Sequence, residues 1–169
     1  MKTAIEYLED YGIRWRRKDS TLRPTWDGEV LTLPWGPEED GSSSKVCWAI
    51  HEISHNIFAP PRARKLPNYG LGTDPTAGAE TEEDPTVFRG RDPVDDEAAV
   101  CILDLILMIE LGLPREVINE HAEGYSIAFV YEHDAVVLEE AGISRERVAK
   151  VIPFLFVYQN NHKRIPFAP

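Results

Sequence analysis

His51-Glu52-Ile53-Ser54-His55 lies in a segment whose pattern admits little but a helix, and that helix constrains the rest of the chain. Val46, Ile50, Ile53 and Ile57 recur at helical spacing and form one apolar stripe. Ser43 or Ser44 can cap the start. Pro60 and Pro61 stop the end, because proline lacks the N–H that a continuing helix needs. Four residues is just over one turn, so two histidines at i and i+4 share a face. Two neutral imidazoles on one face can take two positions around a metal ion. Glu52 lies about 100° around the helix from His51, beside the pair, where a carboxylate can accept or release protons. A chance motif of exposed histidines is the competing explanation; the cap, the stripe and the proline stop favour a metal site.

Two histidines leave a metal under-coordinated, so a third protein donor is expected. The next strongly apolar helix runs from Asp95 to Leu111 and is closed by Gly112 and Pro114. Its start offers Asp95, Asp96 and Glu97. Asp104 is the one acid inside its apolar part, and Glu97 shares its face because seven residues is nearly two turns. A ligating histidine commonly donates its other ring nitrogen to a carboxylate. Helical phase therefore assigns Glu97 as the third ligand and Asp104 as the outer acceptor, with Asp96 as the substitute for Glu97. Cys47 and Cys101 fall near these residues by phase, but small buried hydrophobes are the simpler reading. His121, His133 and His162 show no ligand spacing among themselves, although His121 could approach the site.

Around this pair of helices the chain reads as one α+β domain spanning residues 1–169, mainly helical, with a small antiparallel sheet near the N-terminus. Residues 2–11 form a short amphipathic helix with Ile5, Leu8 and Tyr11 on its apolar side, ended by Gly12. Ile13 to Lys18 reads as an edge strand protected by charge, with Arg14, Arg16 and Lys18 on one side. Asp27-Gly28 turns a hairpin within Thr25–Leu33. From Ala59 to Val94 no regular element is expected, and the stretch holds six of the 13 prolines and four of the 11 glycines. A loop of that length in a compact domain usually has a use, here to line or cover the site, with Tyr69 and the arginines as contacts. Its Arg62–Gly72 half is expected to be ordered and its acidic Pro75–Pro85 half mobile. Two further helices are expected, at 115–134 and from a Ser144 cap to about Asn160.

At 169 residues and 43% hydrophobic, the chain can bury a full core. Met1 to Glu6 carries no signal-peptide core, and no apolar run is long enough to span a bilayer. The expectation is a cytoplasmic protein with reduced thiols. A net charge of −11 argues against general binding to nucleic acid or anionic lipid and is compatible with a cationic substrate such as a lysine side chain.

From the motif helix to Pro114, about a third of the chain, the sequence resembles the bacterial elongation factor P hydroxylase family. After His51-Glu52-Ile53-Ser54-His55, the residues Ala59, Arg62, Arg64, Leu66, Asn68, Tyr69 and Gly70 follow in the family's order at similar spacing. Glu97, Asp104 and Gly112-Leu113-Pro114 match its later acid pair and turn. Asn56 stands where the family has tryptophan, and Leu71-Gly72-Thr73 replaces an aromatic-rich segment. The resemblance implies an Fe(II)-dependent hydroxylase acting on a lysine-type side chain of a protein, with an elongation factor P-like translation factor as partner.

The layout also resembles minimal zincin-like peptidases. Two histidines and a carboxylate hold Zn(II) in many metalloproteases and Fe(II) in non-haem oxygenases. The sequence reading is thus a metalloenzyme with metal ligands His51, His55 and Glu97, catalytic residues Glu52 and Tyr69, and Asp104 behind them. Fe(II) hydroxylation is favoured and zinc peptidase is the alternative. A metal-stabilised binding module without turnover is a third class, disfavoured because structural zinc sites usually have four protein ligands.

Overall fold

The structure, a computed structural model, describes residues 2–19, 21–70, 93–123, 131–154, 156–159 and 163–166. The chain divides into two compact units, Met1–Pro93 and Val94–Pro169.

In the first unit, helix α1 (Ala4–Asp10) begins with a reciprocal cap: the Thr3 side chain accepts from the Glu6 amide, and the Glu6 carboxylate accepts from the Thr3 amide. Ala4, Ile5, Tyr7 and Leu8 are buried, and α1 packs on helix α2 (Ser43–Phe58). Tyr11, expected on the apolar side, is instead exposed at the C-cap. Ser42 rather than Ser43 or Ser44 caps α2, accepting from the Lys45 amide. Val46, Ile50 and Ile53 of the stripe are fully buried; Ile57 is half-buried, and Phe58 closes the apolar face.

Strands β1 (Trp15–Arg17), β2 (Thr25–Trp26) and β3 (Leu31–Leu33) form a sheet in the order β1-β3-β2. The expected hairpin is present, with β2 antiparallel to β3 and Trp26 opposite Leu31. The sheet is mixed, however, not antiparallel throughout, because β1 runs parallel to β3. The chain passes from one edge to the other before β3 returns to the centre, so β3 runs the same way as β1. Arg16, on edge strand β1, hydrogen-bonds Thr32 and pairs with Asp27, while Arg14 pairs with Glu29.

The segment after α2 is less featureless than expected. A short 3-10 turn covers Ala63–Lys65, and Pro67–Gly70 forms a left-handed turn. Arg64 donates to the carbonyls of Ala59 and Ile57, satisfying acceptors at the end of α2. The acidic Pro75–Pro85 stretch lies outside the described residues.

In the second unit, helix α3 (Pro93–Glu110) begins two residues before the expected Asp95, with proline in its first turn. Ala99 to Met108 are all buried. Gly112 (φ 72°) takes the left-handed conformation that lets the Leu113 amide reach back to the Met108 carbonyl. The same backward bond closes helix α1 at Ile13.

Helix α4 (Arg115–Glu123) is shorter than expected, and a separate helix α5 (Tyr131–Glu140) takes up the later residues. Gly124, directly after α4 in the sequence, was a stop signal that the apolar periodicity masked. Ser144 caps helix α6 (Arg145–Ala149) as expected, but α6 does not continue to Asn160. A 3-10 turn at Ile152–Phe154 follows, and then an antiparallel pair, β4 (Phe156–Gln159) and β5 (Lys163–Pro166). Pro153 cannot donate within a helix, and Phe156-Val157-Tyr158 favours strand.

Candidate metal centre

Both motif histidines project from α2 close enough to share an ion. Their Nε2 atoms are 3.1 Å apart, with ring centroids at 4.6 Å. Two donors at about 2.0–2.1 Å from a tetrahedral ion stand about 3.3 Å apart, so the observed separation fits one shared metal. His55 is buried and His51 half-buried.

Aromatic rings frame the pair. Trp48, three residues before His51, meets its ring edge-on at 6.3 Å. Tyr69 stacks on His55 with centroids at 5.2 Å and planes within 11°. Tyr69 also stacks on Trp26, at 5.4 Å and 1°. Trp26 is in turn anchored by its indole N–H, which donates to the Arg64 carbonyl at 2.8 Å.

The Tyr69 hydroxyl donates to the Glu52 carbonyl at 3.2 Å, and the Asn56 side chain also hydrogen-bonds it. Burial pushes the phenol well above its ordinary value and the nearby Glu52 charge adds to this, against the Asn56 hydrogen bond and the Arg64 charge. Tyr69 therefore stays protonated and serves as a donor. Glu52 itself is only 7% exposed.

Within the first unit, His51 and His55 each offer one imidazole nitrogen to a shared ion; Glu97, the third donor expected from the sequence, belongs to the second unit. Two imidazole nitrogens and a carboxylate oxygen suit a divalent first-row metal. Glu97 lies near the start of α3 and is half-buried. Asp104, two turns further along α3, is fully buried, and its Oδ2 lies 3.2 Å from Nε2 of His121 on α4. The side chains of Asp95, Asp96 and His133 lie outside the described residues, as does His162. Cys47 is half-buried and Cys101 buried.

The sequence pointed to the two histidines, Glu52, Glu97 and Tyr69, but not to Trp26, Trp48 or Asn56. Trp48 and Asn56 had a usable signal, since Trp48 lies three residues before His51 and Asn56 four after Glu52, and residues three or four apart are neighbours on a helix surface. Trp26 had none, because its approach depends on how the hairpin meets the turn after α2.

Comparisons with protein-family models, with curated proteins and with solved structures found no match to this chain.

Proposed function

We propose that this chain is a metal-dependent enzyme that holds one divalent ion with His51, His55 and Glu97. The observation that carries the reading is the pair of imidazole nitrogens 3.1 Å apart on one face of α2; Glu97 is the third donor by helical phase and by the resemblance. By the resemblance of its motif regions, the reaction is hydroxylation of a lysine-type side chain on a protein partner of the elongation factor P kind, with Fe(II) as the metal. Such an ion supplies Lewis acidity and, as iron, the redox chemistry that oxygen insertion needs.

The chain's own part is positioning and proton handling. Inserting one atom of dioxygen into a C–H bond consumes two electrons and two protons from a reducing co-substrate and releases the second atom as water. Glu52, buried beside the ligand face, is the group that holds and passes protons. Its backbone carbonyl is fixed by Tyr69, which limits how far this turn of α2 can shift.

The same donor set supports a second reading, a zinc-dependent zincin-like peptidase. There Glu52 takes a proton from the attacking water and delivers it to the leaving amine.

Metal analysis of protein purified without added metal comes first: iron favours the hydroxylase and zinc the peptidase, although zinc competes well for such donors. Glu52→Gln should still bind metal and lose turnover, whereas His51→Ala should lose the metal. Activity is read as oxygen-dependent gain of one oxygen atom by a lysine-bearing protein, and as cleavage of an unstructured peptide. Full activity of Glu52→Gln in the assay that the parent passes would remove Glu52 from the mechanism. A parent inactive in both assays across metals would leave a binding module.

A further inference from the structure

Tyr69 reaches His55 through an uncommon backbone. Asn68 (φ 46°), Tyr69 (φ 57°) and Gly70 (φ 74°) are three left-handed residues in succession. Glycine adopts that region freely and asparagine at modest cost, but a bulky side chain such as tyrosine seldom does. Such a conformation persists when its surroundings over-determine it. Here the Tyr69 amide donates to the Leu66 carbonyl, its hydroxyl donates to the Glu52 carbonyl, and its ring lies on Trp26. The hairpin braces the same segment from outside. A side chain at Gly28 would meet the Lys65 carbonyl oxygen at 2.5 Å, so the two backbones approach as closely as glycine permits.

The outcome of this bracing is a ring set nearly parallel to the imidazole of His55. Rotation of a histidine about its last side-chain bond tilts the ring plane, and a parallel neighbour opposes that tilt. The donor lone pair of Nε2 lies in the ring plane, so fixing the plane fixes the direction in which the nitrogen can donate. The sequence reading made Tyr69 a catalytic contact. At 2% exposure, and with its hydroxyl already bonded, the side chain is better placed to act through its neighbour.

We propose that Tyr69 is a positioning residue for the metal centre, its ring holding His55 in the plane that aims Nε2 at the ion. The inference rests on the reading of His51, His55 and Glu97 as metal ligands.

The test uses the full chain, freed of metal by a chelator and titrated with Co(II), whose visible absorption reports ligand geometry. The parent should bind one Co(II). Tyr69→Leu, which removes the ring, should weaken Co(II) binding by about tenfold or more and alter the visible bands, as loss of an orienting partner does. Tyr69→Phe keeps the ring and loses only the hydroxyl, so it should restore both affinity and bands. Leu8→Ala removes a buried side chain of α1 that is not among the rings around His55 and serves as a stability control, with parental affinity expected. Parental binding by Tyr69→Leu would overturn the proposal. So would binding by Tyr69→Phe as weak as that of Tyr69→Leu, or an equal loss in Leu8→Ala. A parent that takes up no Co(II) would overturn the metal reading itself, and the proposal with it, before any variant is compared.

Discussion

Asp104 has no exposure to water, and burying a carboxylate is costly unless hydrogen bonds or opposite charge compensate it. His121 provides one such contact at 3.2 Å. The helical phase that singled out Asp104 identified its burial correctly, but the His121 contact depends on the packing of α4 and cannot be read from spacing along α3. We propose for Asp104 the additional role of orienting a ligand histidine, and Asp104→Asn tests it. Asparagine keeps the shape and loses the charge. The variant should melt at a lower temperature and bind metal about tenfold more weakly. A lower melting temperature with parental metal affinity would leave Asp104 as a partner of His121 alone.

Among the elements, the β2–β3 hairpin is one whose stability should follow pH. The Asp27 carboxylate accepts from the amides of Val30 at 2.8 Å and Glu29 at 2.9 Å and pairs with Arg16. The bond from Val30 is the main reason that its pKa lies below the ordinary value of 3.8, with the Glu29 amide and the charges of Arg16 and Arg14 adding to it. A lowered folded-state pKa means that the unfolded chain binds the proton more readily. The contribution is therefore fully present above the ordinary carboxylate range and is lost as pH falls through the folded value. Urea unfolding between pH 6 and pH 3 should show the parent losing stability on acidification, and Asp27→Asn should flatten part of that loss. An unchanged slope in the variant would assign the acid sensitivity elsewhere. This hairpin was legible because Asp-Gly between strand-forming residues is a local signal. The parallel partner of β3 was not, since strand order is set by long-range closure. The C-terminal strand pair was obscured for a different reason: Ser144 announces a helix, and nothing before Pro153 says that it stops after five residues.

For the molecule as a whole, sequence reading recovered the mainly helical α+β character and the motif helix, because both rest on periodicity within short windows. Among the described residues no helix is long and apolar enough to cross a membrane. The basic stretch Arg14–Lys18 reads as a charge-protected edge strand, and Arg14, Arg16 and Arg17 on it all meet acids brought from elsewhere, among them Glu29, Asp27, Glu38 and Glu39. An acidic chain with a net charge of −11 has enough carboxylates to cover its cations, and which of them do so is decided only on folding. The parallel rings of Trp26 and Tyr69 have a consequence of another kind. Two chromophores held rigidly face to face in an asymmetric setting make the protein its own optical gauge. Near-ultraviolet circular dichroism should carry a band that Trp26→Phe and Tyr69→Leu each diminish while the far-ultraviolet spectrum is preserved. A parental near-ultraviolet spectrum in both variants would mean that the rings do not keep that arrangement in solution. Where the band is present, its loss on warming would time the release of the turn at 68–70 separately from the melting of the helices.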